Sequence, residues 1–157
     1  MSVTLPAEEM ARFERSGLVD RPVSVVFDYL ADPDRDAEWS AGTERVERTS
    51  PAPLGAGSTF RYVIRFGGVR MDLGFVITEL VPDRVIAGRT VGKRLWATGR
   101  RTVEAADGGT RVRIAGELVI GGIAGRALEP LLDWVGQRQV EADFRRLVER
   151  LEALPPA

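Results

Sequence analysis

Among the side chains that most often do chemistry, two are missing: the sequence has no cysteine and no histidine. Without a thiolate there is no disulfide, no cysteine nucleophile and no cysteine-based zinc or iron–sulfur site. Without an imidazole, the usual general base near neutral pH and the commonest metal ligand are both lost. Serine–histidine catalysis is therefore excluded. Proton transfer would fall to a carboxyl group shifted by burial, to a tyrosine, to an arginine or to the single lysine, Lys93. No tight Asp/Glu cluster at loop spacing suggests a carboxylate cation site, so neither a metal nor a cofactor is expected. No residue is assigned a catalytic role.

Tyr62 is the most informative polar candidate, because a buried phenol must find a hydrogen-bond partner, and a ligand oxygen or a cavity water would serve. Trp39 and Trp96 read as packing anchors or as rim residues. Asp133 and Gln137, four positions apart, share one helical face, which either roofs a cavity or turns to solvent. Gly121 to Gly125 lie between a strand and a helix, where phosphate loops occur. Their spacing matches neither the dinucleotide nor the P-loop pattern, and a hinge is the better reading. All but one of the 22 basic residues are arginines, a bias so uniform that no single arginine stands out.

The elements that position these side chains follow from periodicity. Val140, Phe144, Leu147 and Leu151 step by four, three and four residues, the spacing of one helical face, within a segment from Gly125 to Leu154. About 30 residues at about 1.5 Å each give a helix of about 45 Å, longer than a small core needs. One half seals a core; the other half is free to roof a cavity. Ala11 to Val19 reads as a first strand. Pro22 suits a first helical position, with Val23, Val26, Phe27 and Leu30 at helical spacing behind it, and a second short helix or loop leads to Trp39. From Glu44 the period becomes two. Phe60, Tyr62, Ile64 and Phe66 alternate with Thr59, Arg61 and Arg65. Gly67-Gly68 then turns the chain into Met71, Leu73, Phe75 and Ile77, which repeat the alternation. Further strands run from Arg84 to Val91, Leu95 to Ala105 and Thr110 to Ile120. Tight turns make these neighbours antiparallel, and the only element long enough to cover their apolar face is the last helix. The class is α+β.

A net charge of −1 offers no positive field to gather phosphates, so nucleic acid is not an expected partner. No run approaches the roughly 20 apolar residues of a bilayer span, so no membrane insertion is expected. The first residues lack a signal-peptide pattern, which places the protein in the cytoplasm as an expectation. Size argues for a single domain over residues 1–157, as a monomer or a homodimer.

Several weak motifs, persuasive in their order, carry a resemblance. They are Pro22 with Val26-Phe27-Asp28-Tyr29, then Asp32 and Trp39; the loop from Pro51 to Gly57; Glu79 and Pro82; Gly109-Thr110-Arg111-Val112; and the helix from Gly125 to Leu154. From about Phe13 to Glu152 the chain resembles the helix-grip fold of the START/Bet v 1-like superfamily, and more narrowly the polyketide cyclase/dehydrase-like branch of the SRPBCC proteins. The resemblance implies a curved antiparallel sheet of about six to seven strands around the long C-terminal helix, with two short helices after the first strand and a cavity between sheet and helix. Phe60, Tyr62, Ile64, Phe66, Met71, Leu73 and Phe75 would then line the concave face, with Trp39, Trp96, Asp133 and Gln137 completing the site. A core and an apolar pocket use the same residue types, so each aromatic stands equally as core. The implied partner is a hydrophobic small molecule such as a lipid, an aromatic polyketide or a related metabolite. A cyclase or dehydratase and a co-chaperone-type interaction module are the alternatives.

Overall fold

A computed structural model describes residues 11–66, 68–92, 95–120 and 123–155, with only the backbone of 66, 120 and 123–133. Strand β1 (Ala11–Val19) leads into helix α1 (Val23–Leu30), a 3-10 turn (Pro33–Arg35) and the short helix α2 (Asp36–Trp39). Six strands follow: β2 (Thr43–Arg48), β3 (Thr59–Phe66), β4 (Val69–Val81), β5 (Val85–Val91), β6 (Leu95–Ala106) and β7 (Gly109–Ile120). Helix α3 (Ile123–Glu152) closes the chain. The seven strands form one antiparallel sheet in the order β1-β7-β6-β5-β4-β3-β2, the order that hairpins dictate once β1 returns to pair with β7. At the β3–β4 turn Gly68 takes φ +84°, which a side chain would resist. Register breaks between Thr43 and Arg45 and between Ile77 and Glu79 mark bulges, which bend a sheet locally. The curved sheet grips α3 in a helix-grip arrangement.

The C-terminal half of α3 is the core helix. Val140, Phe144, Leu147 and Leu151 are all buried, and they pack in one cluster with Val19, Val26, Leu30, Val112 and Ile114. The Phe144 ring rests on Gly17 of β1, where a Cβ would stand 2.8 Å from a ring carbon. Where α3 ends, the Arg21 guanidinium donates to the carbonyls of Glu152 and Leu154, and the Asp20 amide donates to the Glu152 carboxylate at 3.2 Å. The guanidinium satisfies carbonyls that the end of a helix leaves without partners. A smaller cluster of Ala11, Leu95 and Leu118, joined by Phe13, Ile64, Met71, Leu73 and Ala97, occupies the other end of the concave face.

One side chain departs from expectation. The Gln137 amide accepts from the Glu14 backbone N–H at 3.4 Å and donates to the Glu14 carbonyl at 3.2 Å. It thereby caps the edge strand β1, and it is Gly136 that faces the sheet, 3.3 Å from the Phe13 ring as measured from an added Cβ. On the outer face Arg113 pairs with Glu14 at 2.6 Å and Glu117 with Arg12 at 3.6 Å. Both pairs bridge β7 and β1.

Candidate functional site

A cavity of about 290 Å³ lies between the concave face of the sheet and α3. Its apolar wall is built by period-two alternation on several strands: Phe13 from β1, Ile64 from β3, Met71, Leu73 and Phe75 from β4, Leu95 and Ala97 from β6, and Leu118 from β7. Trp39 and Tyr62 stand in the same wall, and Gln139, Val140 and Asp143 approach from α3. Three other residues named from the sequence lie elsewhere. Phe60 is buried in the main core beside Arg48, whose guanidinium sits 5.7 Å from the ring centroid. Trp96 is one position out of phase with Leu95 and Ala97, which puts it on the other face of the sheet. Gln137 is engaged with the edge of β1. The side chains of Phe66 and Asp133 lie outside the described residues.

One corner of the cavity is polar. Asp36, the first residue of α2, is 1% exposed and receives donors from two strands. Arg101 of β6 donates from Nη1 and Nη2 to the two carboxylate oxygens, 2.8 Å each, and Tyr62 of β3 donates its hydroxyl to Oδ2 at 2.8 Å. Arg101 also donates to the Leu30 carbonyl at 2.9 Å and lies over the Trp39 ring, 5.1 Å from its centroid. A bidentate pair of this geometry fixes the guanidinium plane and leaves no net charge. Burial pushes the Tyr62 phenol far above its ordinary value, and the neighbouring Asp36 carboxylate adds to the shift, which favours the protonated hydroxyl that donates to Asp36. Burial works against the Arg101 charge, yet Asp36 more than offsets it and holds the guanidinium above its ordinary value.

Asp143 supplies the second polar feature. It accepts from the Ala41 amide at 3.1 Å and from the Ser40 hydroxyl at 3.4 Å, and so ties α3 to the corner between α2 and β2. Arg146 lies 3.6 Å away. Burial raises the Asp143 pKa above the ordinary carboxyl value, against the lowering effect of the Ala41 N–H and Arg146. This is a carboxyl group that keeps its proton to higher pH than a solvated one, in the wall of an apolar space.

Sequence reasoning missed Asp36, Arg101 and Asp143. For two of them a signal was present. Leu95, Ala97, Arg101 and Val103 share one phase of β6, so Arg101 stands on the dry face among apolar residues. Asp143 lies three residues from Val140 and four from Leu147, inside the buried stripe of α3. Asp36 left no such trace, because a four-residue helix has too few positions to show a period.

A model of the family described as polyketide cyclase/dehydrase and lipid transport matches residues 10–152. No curated protein matches the sequence. Among solved structures, the Zhui aromatase/cyclase from Streptomyces sp. R1128 superposes with a TM-score of 0.75 at 23% identity, over 91% of this chain and 94% of that one. TTHA0849 from Thermus thermophilus gives 0.75 at 21% identity, over 92% and 97%. Ara h 8.0201 gives 0.66 at 17% identity, over 92% and 99%. Likeness at these identities concerns the fold.

Proposed function

Because the chain belongs to the polyketide cyclase/dehydrase and lipid transport family, we propose that it holds a hydrophobic small molecule in the cavity between the sheet and α3. The observation that carries this reading is how chemistry is distributed on the wall. Apolar side chains from five strands cover most of it, and one corner, where Tyr62 and Arg101 are bound to the buried Asp36 behind them, is rich in hydrogen bonds but carries no net charge. A ligand entering such a space removes apolar surface from water, while a few fixed polar groups orient it. The ligand is accordingly an apolar body, such as a lipid, an aromatic polyketide or a related metabolite, with an oxygen that Arg101 meets. An interaction module, which needs no internal space, finds no support in this interior. Native mass spectrometry of the protein purified from its own host tests the proposal. A retained small molecule, released on denaturation, is expected. A bare polypeptide mass that persists after incubation with apolar metabolites would contradict it.

Ionisable groups in the cavity wall favour a second reading, an enzyme of the cyclase or dehydratase kind. In it Arg101 polarises a carbonyl oxygen and the Asp143 carboxylate removes a proton from a carbon beside a second carbonyl. The enolate carbon bonds to the polarised carbonyl carbon, and the proton passes from Asp143 to the alkoxide that results. Such turnover rises with pH through the ionisation of Asp143, above the ordinary carboxyl range. Incubation with a reactive poly-β-ketone decides: a product mixture equal to that of the protein-free control leaves binding as the only role.

A further inference from the structure

Three glycines stand in register across the concave face: Gly88 of β5 opposite Gly99 of β6, and Gly99 opposite Gly116 of β7. Strands lie about 4.8 Å apart, so the row spans about 10 Å. The outer two are glycine for a visible reason. The Phe75 ring lies on Gly88, where a Cβ would overlap a ring carbon, and the Phe13 ring lies on Gly116, where it would come within 2.5 Å of one. Phe144 on Gly17 repeats the arrangement at 2.8 Å. Gly99, between the two rings, has none among the described residues: a Cβ there meets no described atom within 4 Å. It shares the inward phase of Ala97 and Arg101 and lines the cavity, as do Phe13 and Phe75. Glycine inside a strand costs about 0.5–1 kcal/mol relative to alanine, and no described residue of the chain uses the space it leaves.

A separate observation points to an occupant. Trp39, 5% exposed and in the wall of the same cavity, has an indole N–H with no partner among the described residues. We infer that Gly99 is the seat of a ring supplied by the ligand. A flat, unsaturated ring lies on the β6 backbone between Phe13 and Phe75 and completes the row. An oxygen substituent on it meets Arg101, the next inward residue, about 7 Å along the strand. This inference rests on the cavity-binding reading and narrows it from apolar molecules in general to planar ones that bear an acceptor oxygen.

The test compares 1,8-dihydroxyanthraquinone with palmitate by calorimetric titration of the wild-type chain, Gly99→Ala and Gly99→Val. The ring compound is expected to lose about tenfold in affinity, equivalent to about 1.4 kcal/mol, in Gly99→Val and less in Gly99→Ala, while palmitate binding stays within about threefold of wild type. Should the valine variant not fold, the alanine variant, whose methyl enters open space, and the wild-type complex still decide. In the latter, nuclear Overhauser contacts from the ring protons to the Gly99 Hα are expected. Equal losses for both probes, no loss for the ring compound, or a bound ring without that contact overturns the seat and leaves the cavity reading intact. A wild-type chain that takes up palmitate alone also overturns the seat. One that binds neither probe overturns both.

Discussion

At the scale of single residues, the site depends on how burial redistributes charge. Asp36 and Arg101 neutralise each other and so present a hydrogen-bonding surface without a field, whereas Asp143, which no cation pairs as closely, is supported by the Ala41 N–H, the Ser40 hydroxyl, the Gln139 side chain and an arginine 3.6 Å away. Its pKa is therefore raised by burial above 3.8, the value of a free aspartate. A carboxyl raised in this way keeps, in the folded state, a proton that the unfolded chain has already lost. Between the two pKa values the native state binds more protons, and stability falls as pH rises. Asp143→Asn, whose amide oxygen still accepts from Ala41, is expected to remove that slope. Urea denaturation of both proteins from pH 4 to 7 checks it. Wild type should lose stability relative to the variant as pH rises above the free-aspartate value, and parallel curves would show that burial does not raise the Asp143 pKa. The residue scale is also where the sequence is least legible. Tyr62 reads as a phenol in need of a partner, but its partner is Asp36, 26 positions away, and no local pattern links the two. Arg101 is obscured by the abundance of arginine, although its inward phase in β6 distinguishes it.

At the scale of elements, α3 does two jobs along its length. Its C-terminal half closes the core through Val140, Phe144, Leu147 and Leu151, and that stripe is fully legible as a 3.6-residue period. Further toward its N-terminus the stripe becomes Gly136 and Gln137, and the sequence does not say which of the two points inward. The structure answers with shape. Gly136 is small enough to approach the Phe13 ring, and Gln137, one position round the helix, supplies the paired donor and acceptor that an unpaired strand edge requires. Phe60 shows the complementary limit: alternation assigns a residue to a face, but not to the cavity half or the core half of it. Phe144→Ala should cost about 3–5 kcal/mol of folding stability, as loss of a buried aromatic does, since Phe144 is 4% exposed and seated on Gly17. Chemical denaturation measures it, and a loss below about 1 kcal/mol would place the gripping face of α3 elsewhere.

At the scale of the whole molecule, the order of elements is legible because each boundary has a local cause: Pro22 before α1, short glycine-containing turns between strands, and a long apolar period at the end. The cavity is not legible, because its volume is a difference between what the sheet encloses and what the side chains fill. That difference depends on glycines such as Gly99 and on the curvature set by two bulges. No helix among the described residues is long and apolar enough to cross a membrane. The most direct test of the account is a methyl-resolved NMR titration with 1,8-dihydroxyanthraquinone. The account predicts shifts at Ile64, Met71, Leu73, Leu95 and Leu118 of the cavity wall and none at the exposed Leu18, Val69 and Val81. Shifts confined to the exposed methyls, or none anywhere, would contradict it.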